Sequence, residues 1–360
     1  MCGEGLNPSA HIIKTNGVYR AMKKLFAATL ASGLMMSAAS AVSAAETLLM
    51  SSWLPPKHPI VADMIKPWIK AVEEESNGNL KIRILPKALG APPAHFDLAK
   101  DGVADVTYGV HGYQPGRFKL TAGAELPFLG DSAEATSVAY WRVHQKHFAA
   151  ANEHEGTVLL GLMTHGPGVI HNNVRPINSV ADMAGLKMRI GGGVVADVSK
   201  ALGFTPIMAS ATKNYEMLSS GVADGTLLPF ESIKSFKLSK LVNQATTIPG
   251  GLYNTSFFLV MNPAKFEGLS KENQEAIMRA SGENFARIAG QGWDAADKVG
   301  QATAEDAGTK VVKASASLIQ DVREATKHVE KSWIATANEL GVDGKAALYD
   351  LRTEIAAQSK

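Results

Sequence analysis

Two stretches, DLAKDGVADVTYGV (Asp97–Val110) and EMLSSGVADGTLLP (Glu216–Pro229), carry the same tetrapeptide Gly-Val-Ala-Asp in the same local setting. Gly221 of the second copy follows Gly102 of the first by 119 residues. A further echo, RFKL and then SFKL, recurs at a nearly equal offset of 118 residues. These paired echoes predict two related halves, each containing a helix, a glycine turn and a strand.

The glycine and the aspartate of each copy have predictable roles. A helix commonly ends on a left-handed residue, which glycine adopts at little cost, so Gly102 and Gly221 are expected to close helices. Asp105 and Asp224 precede the carboxyl ends of their strands, whereas ligands of open α/β sheets bind beyond those ends. We therefore expect both aspartates to be turn or cap residues that satisfy backbone N–H groups, in preference to ligand contacts.

The rest of the chain alternates between strand and helix patterns. Strands are predicted at ETLLMSSWLPP, LKIRILP, LKMRI and TPIMAS, with helical spacing of apolar residues between them. Each strand–helix–strand unit favours parallel strands covered by helices, so each half is α/β. The C-terminal third is helical in pattern from the N-cap residue Ser270 onward, and a long helix there is expected to brace both halves.

Composition excludes several function classes. A length of 360 residues suggests two domains, and a net charge of +2 gives no sign of a nucleic-acid partner. The single cysteine, Cys2, rules out disulfides and Cys₂His₂-type zinc sites. The motifs G-x-S-x-G and H-E-x-x-H of common hydrolases are missing from the sequence, so an enzyme is not expected, and nothing calls for a cofactor or metal.

The N-terminal region is typical of a secretory signal peptide. After Met22 come two lysines, the uncharged apolar core Leu25–Met36 and small residues that fit a cleavage site near Ala45. A membrane anchor is the alternative, but the apolar core is short for a bilayer span. A normal signal lacks the polar lead of residues 1–21, which indicates that translation starts at Met22. The mature protein is expected in the periplasm.

Five further segments follow the order and spacing of a known family. They are ELPFL from Glu125, PINSVADMAGLKMRI from Pro176, SKALGFTPI from Ser199, LSSGVADG from Leu218 and VMNPAKFEGLSKENQEAI from Val260. With them the chain resembles the solute-binding protein of a tripartite ATP-independent periplasmic (TRAP) transporter of the C4-dicarboxylate type. The resemblance implies a two-domain periplasmic-binding-protein-like fold, with crossing strands, a cleft and a long helix spanning both domains. The expected divisions are residues 1–45 as upstream extension and signal peptide, 46–166 plus 255–294 as domain I, and 167–254 plus 295–360 as domain II.

The same resemblance implies a function. A family member captures a small organic acid, a carboxylate, and delivers it to the membrane permease, whose small and large subunits use an ion gradient. The protein itself catalyses nothing and is expected to be a monomer without cofactors. Two alternatives remain open at this point: the ligand-binding component of a sensory system and, less favoured, a secreted enzyme.

Arg189 is the central candidate for ligand binding. It ends the predicted strand LKMRI, at the edge where ligands of an α/β sheet bind. In the family the arginine of the matching GLK-x-R element binds the ligand carboxylate, and its planar fork suits two parallel charge-assisted hydrogen bonds. A structural ion pair is the alternative. Gly191, the first of three glycines that follow, is expected to let backbone N–H groups at a helix N-terminus approach an anion.

Other candidates lie near predicted strand ends and crossovers. Leu228 stands where many relatives have an asparagine before the proline, which favours a less polar, ring-bearing ligand. Phe230 and Glu231 follow it directly. An aromatic residue at a strand end more often belongs to the core than contacts a ligand, but the position beside a cleft makes ligand contact an equal alternative. The remaining candidates are Trp53, His111, Tyr113, His165, Tyr253 and Asn254.

Overall fold

Eleven strands form two separate sheets within residues 45–358, the part of the chain that this computed structural model describes. The signal peptide and the start at Met22 were predicted for residues that lie outside this part. The strands are β1 Glu46–Ser51, β2 Leu80–Ile84, β3 Val106–Val110, β4 Val158–Thr164, β5 Val169–Asn172, β6 Lys187–Ile190, β7 Thr205–Met208, β8 Gly225–Leu228, β9 Gln244–Thr247, β10 Ser256–Met261 and β11 Lys310–Lys313.

Helices connect and cover these strands. The α-helices are α1 Lys66–Glu75, α2 His95–Lys100, α3 Ala133–Val143, α4 Val194–Ala201, α5 Asn214–Ser219, α6 Glu231–Ser235, α7 Pro263–Glu267, α8 Lys271–Ala280, α9 Glu283–Asp306, α10 Ala316–Glu339 and α11 Gly344–Gln358. A π-helical segment, Ile60–Ile65, leads into α1. Ser270 caps α8 as predicted, because its side chain accepts the N–H of Asn273 at 3.2 Å. Within residues 45–358 no helix combines the length and the apolar character that a membrane crossing requires.

The two sheets repeat one topology, as the sequence echoes predicted. Sheet A has the order β2-β1-β3-β10-β4, and sheet B has the matching order β7-β6-β8-β5-β9 with β11 added at its edge. In each sheet the first three strands are parallel, and the strand that comes next is antiparallel to both of its neighbours. Each sheet therefore directs the carboxyl ends of its parallel strands to one edge.

The repeated glycine and aspartate have equivalent structural roles. Gly102 and Gly221 are left-handed, with φ of +71° and +72°, and each follows a helix as expected. The backbone N–H of Asp105 donates to the carbonyl oxygen of Leu49 at 2.9 Å, and the Asp105 carboxylate accepts the backbone N–H of Leu49 at 2.6 Å. Asp224 forms the same pair of bonds with Lys187, at 2.8 and 2.9 Å. Both aspartates therefore hold a neighbouring strand, which confirms the prediction that they are backbone partners.

The chain crosses between the sheets more than once. It leaves sheet A after β4, returns after β9, and passes along α9 before adding β11 to sheet B. Phe285 near the start of α9 packs on Gly161 of β4, where a Cβ would lie 2.3 Å from the ring. Gly300 near its end meets Phe230, where a Cβ would lie 2.0 Å from the carbonyl oxygen. The long helix thus contacts elements of both sheets, as expected.

The last two helices also contact both halves. Trp333 of α10 donates its indole N–H to the carbonyl oxygen of Lys119 at 3.2 Å, in the segment that follows β3. Arg142 of α3 forms a 2.8 Å ion pair with Glu354 of α11. The C-terminal residues, assigned from the sequence to domain II, therefore pack on the side of sheet A as well.

Candidate functional site

A cavity lies at the carboxyl ends of the parallel strands of both sheets. Val110 and Leu228, the last residues of β3 and β8, line it, and Gly191 directly after β6 does so too. This is the edge at which open α/β sheets bind ligands. Six aromatic side chains form much of its wall: Trp53, Tyr113, Phe236, Tyr253, Phe257 and Trp293.

Arg189 supplies the positive charge of this cavity. Its side chain is 1% exposed, and its Nε and Nη2 groups donate to the carbonyl oxygen of Ala209 at 3.0 and 2.6 Å. Among residues 45–358 no carboxylate lies within 4.0 Å of the guanidinium, so the structural ion pair considered from the sequence does not form there. A buried charge is costly unless an opposite charge compensates it. The site therefore favours an anion beside Arg189.

His165 lies in the same wall, on the first crossover between the sheets. Burial, with a smaller contribution from the charge of Arg189, lowers the pKa of His165 to about 4, so the ring is neutral at pH 7. Its Nδ1 bonds to the carbonyl oxygen of Gly166, which requires a proton on Nδ1. Nε2 is then a buried acceptor, and it has no hydrogen-bond partner in the described part of the chain.

A second polar pair in the wall joins the two halves. His58, between β1 and the π-helical segment, places its Nε2 3.4 Å from Oε1 of Glu231, the first residue of α6. Both side chains are almost fully buried. Burial lowers the pKa of His58 to about 4 and raises the pKa of Glu231 to about 7. Both groups are therefore largely uncharged slightly below neutral pH.

Tyr113 links the halves at another point of the cavity. It follows β3, and its hydroxyl accepts the N–H of Ala211, after β7, at 2.8 Å. Its ring meets Trp53 edge to face, with centroids 6.2 Å apart. Trp53 in turn donates its indole N–H to the carbonyl oxygen of Tyr108 at 3.2 Å. These contacts fix two aromatic walls of the cavity.

The structure brings most of the predicted site residues together. Those that line the cavity are Trp53, Tyr113, His165, Arg189, Gly191, Glu231 and Tyr253.

Three predicted residues do not line this cavity. His111 is buried behind it and bonds to Ser256 Oγ and to His154 Nε2, each at 3.0 Å. Phe230 packs edge to face on His171. The side-chain amide of Asn254 is surrounded by acceptors on one side, so its nitrogen belongs there and donates to the carbonyl oxygens of His165 and Gly166, each at 3.2 Å. Their bonds and packing hold the crossover segments and the end of β8, which explains their burial.

The glycine triplet after Arg189 differs from its predicted role. Glu125 of the ELPFL segment already accepts the N–H of Val194, the first residue of α4, at 3.0 Å. A Cβ on Gly193 would lie 2.3 Å from this carboxylate, and one on Gly192 would lie 2.5 Å from the carbonyl oxygen of Gly112. The group that accepts the N–H at this helix N-terminus is therefore a carboxyl side chain of the protein, whose pKa is raised by burial, and only Gly191 of the triplet lines the cavity.

Among the aromatic and histidine side chains that line the cavity, sequence reasoning missed four. His58 lies near the carboxyl end of β1, as Trp53 does. Because open α/β sheets bind ligands beyond the carboxyl ends of their strands, His58 could have been predicted in the same way. Trp293 comes from the middle of α9, and Phe236 and Phe257 come from α6's end and from β10. No local pattern marks these three, because they reach the cavity only through tertiary packing. Among residues 45–358 no group of three or more His, Cys, Asp or Glu side chains is placed to hold a metal ion.

Comparison with known proteins identifies the family. The model of the bacterial extracellular solute-binding protein family 7 matches residues 50–336. The chain belongs to this family. As a family 7 protein it has the fold expected from the sequence, with two α/β sheets and a long helix, as in the solved TRAP solute-binding proteins that it resembles.

Two solved structures resemble this family 7 protein closely. A TRAP periplasmic solute-binding protein from Bordetella bronchiseptica, solved with bound (R)- and (S)-mandelate, is 44% identical with a TM-score of 0.85, and the match covers 87% of this chain and 99% of that one. A TRAP solute-binding protein from an unidentified marine microbe, described as specific for aromatic acid ligands and solved with 3-hydroxybenzoate, is 36% identical with a TM-score of 0.82, over 88% and 100% of the two chains.

A relative known by sequence matches over a similar length. The outer membrane transporter protein TsaT of Comamonas testosteroni is 31% identical over 312 residues, which is 86% of this chain and 92% of that protein. Family 7 proteins are solute-binding components of transport systems, and this chain matches them along nearly all of the residues that the structure describes.

Proposed function

We propose that this family 7 protein captures an aromatic carboxylic acid in the cavity around Arg189 and delivers it to a TRAP permease. One observation carries the proposal: a buried guanidinium without a carboxylate partner lies in a cavity walled by six aromatic side chains. The positive charge of Arg189 favours an anionic ligand, and the aromatic walls of the cavity favour a ligand with an apolar ring.

The charge argument selects a carboxylate. Nε and one N–H of Nη2 donate to the carbonyl oxygen of Ala209, which leaves Nη1 without a hydrogen-bond partner in the described residues and keeps the fork in one orientation. A carboxylate of the ligand can accept two parallel N–H bonds from such a fork. The burial that makes the lone cation costly also strengthens its attraction to the ligand, because the surroundings screen it weakly.

The wall argument selects an aromatic ligand over a sugar acid or an aliphatic diacid. The second carboxylate of an aliphatic diacid would find no second Lys or Arg among the lining residues and would instead face Glu231. The hydroxyls of a sugar acid would face Val110, Leu227 and Leu228. Aromatic rings gain from edge-to-face contacts with ring walls. The ligands seen in the Bordetella and marine relatives, mandelate and 3-hydroxybenzoate, are of this class and support the assignment.

Capture is proposed to depend on closure of two lobes, residues 46–166 plus 255–294 and residues 167–254 plus 295–360. Tyr113 contacts Ala211 across the two lobes, and His58 contacts Glu231 in the same way. A ligand that touches both lobes only in the closed form shifts the population toward closure. The permease then recognises the closed monomer in the periplasm, where a cleaved signal peptide places it, and the binding protein performs no chemical step.

A ligand screen by thermal shift tests this proposal. We expect benzoate and mandelate, at about 100 times their dissociation constants, to raise the melting temperature by about 5 °C, since such saturation adds about 2.7 kcal/mol. Succinate, malate and glucuronate serve as matched non-aromatic acids and should give little shift. Native mass spectrometry of the purified protein should then find a carried-over aromatic acid. Stabilisation by the non-aromatic acids alone would overturn the assignment.

A further inference from the structure

His58 and Glu231 present a buried hydrogen-bond donor and a buried acceptor side by side. His58 Nδ1 accepts the N–H of Ile60 at 3.3 Å, so in the neutral ring the proton is on Nε2. That Nε2–H donor lies 3.4 Å from Oε1 of Glu231, beyond the usual length of a hydrogen bond. Neither atom has a hydrogen-bond partner among residues 45–358, although both are buried.

A hydroxyl group is the ligand group that suits this donor and this acceptor together. A buried donor and a buried acceptor left unpaired each carry a desolvation cost. One hydroxyl can accept from His58 Nε2–H and donate to Glu231 Oε1, and so satisfy both. We propose that His58 and Glu231 recognise a hydroxyl on the ring of the bound acid, so that the protein selects hydroxylated aromatic carboxylates. This inference rests on the proposed function, in which Arg189 binds the carboxylate.

Both partners are held in place before any ligand arrives. The second carboxylate oxygen of Glu231 accepts the hydroxyl of Ser232 at 2.9 Å, and its backbone N–H donates to Asp297 at 2.7 Å. The ring of His58 packs against Phe236 with centroids 5.2 Å apart. A site that is fixed in advance loses little entropy on binding, so the hydroxyl contact contributes to affinity.

The two partners also belong to different halves of the molecule. His58 follows β1 of sheet A, and Glu231 follows β8 of sheet B. A bridging hydroxyl therefore completes a contact across the cavity. Two alternatives predict no discrimination between ligands: the pair is a latch between the halves, or a water from the adjoining groove, which Lys57 and Lys234 also line, bridges the pair.

Calorimetric titration of the wild-type protein with benzoate and its 2-, 3- and 4-hydroxy isomers tests the inference. At least one isomer should bind about tenfold or more tightly than benzoate, because its hydroxyl satisfies a buried donor and a buried acceptor that benzoate leaves unpaired. In His58→Phe and Glu231→Leu the ratio of the two affinities should fall to about one. The control Glu155→Gln, on the exposed surface, should keep the wild-type ratio.

The outcomes separate this inference from the proposed function. If wild type binds benzoate and all three isomers equally, or if the preference survives both substitutions, the hydroxyl site is refuted and the carboxylate site stands. If no aromatic acid binds at all, both fail. Should the variants not fold, a crystal structure of wild type with the preferred isomer decides: the hydroxyl oxygen must lie within hydrogen-bonding distance of both His58 Nε2 and Glu231 Oε1, and a hydroxyl placed elsewhere overturns the inference.

Discussion

Replacing Arg189 with methionine separates a ligand-binding arginine from a structural one. The substitution keeps a long, largely apolar side chain and removes the guanidinium. Two charge-assisted hydrogen bonds to a carboxylate are worth about 1.5–3 kcal/mol each, so their loss should weaken binding of benzoate by about 3 kcal/mol or more. The dissociation constant should therefore rise at least about 100-fold.

Stability should respond quite differently in Arg189→Met. Arg189 is buried without a carboxylate partner in the described residues, so its removal relieves a desolvation cost. The carbonyl oxygen of Ala209 loses its two donors, which costs about 1–3 kcal/mol. These terms oppose each other, and we expect the free energy of unfolding of the ligand-free protein to change by less than about 2 kcal/mol.

Calorimetric titration with benzoate and urea unfolding without ligand provide the two readouts. Arg117→Met is the matched control, because Arg117 is half-exposed, pairs with Asp97 at 2.8 Å and lies outside the cavity lining. It should bind benzoate as wild type does. The reasoning is refuted if Arg189→Met retains wild-type affinity. It is also refuted if the substitution costs about 3–5 kcal/mol of stability, as breaking a buried ion pair does.

Three further predictions concern stability. Gly300→Ala should lower the melting temperature although alanine favours a helix, because its Cβ would lie 2.0 Å from the Phe230 carbonyl oxygen; an increase would contradict the packing of α9. Asp224→Ala should cost about 1–2 kcal/mol in urea unfolding, because a strand N–H loses its acceptor; no change would show that water replaces it. In a pH series of melting curves, stability should be greatest at about pH 7. Burial lowers the pKa of His165 and several other histidines to about 4 or below, so the unfolded chain binds more protons between pH 4 and 6.5 and stability falls on acidification. Burial raises the pKa of Glu231 to about 7 and that of Asp297 to about 8, so the folded chain binds more protons than the unfolded chain above about pH 7 and stability should decline from there to pH 8; a steady rise to pH 8 would contradict this.

Much of the fold was predictable because its signals are local. Gly102 and Gly221 mark helix ends through their own backbone preference, and the strand patterns on either side of them need only neighbouring residues. The repeat of one sheet topology was predictable from the 119-residue spacing of the two Gly-Val-Ala-Asp segments. The last helices were harder, because the contact of Arg142 with Glu354 joins residues that no local pattern connects.

The candidate site was predictable only where strand ends determine it. Arg189 and Trp53 reach the cavity because they lie at or just beyond carboxyl ends of parallel strands. Trp293 depends on how α9 docks, and the carboxylate of Glu125 occupies the N-terminus of α4 from a distant segment. Such placements follow from tertiary packing, so the expectation of a ligand anion at that helix N-terminus was wrong: Glu125 accepts its N–H group.

The comparison of benzoate with benzamide tests the central claim most directly. The two molecules share ring and shape, and only benzoate carries the negative charge that the lone guanidinium of Arg189 calls for. Titration calorimetry of the wild-type protein at pH 7.5 should show benzoate binding at least about 100-fold more tightly than benzamide. Equal affinities, or tighter binding of the amide, would contradict an anion site at Arg189.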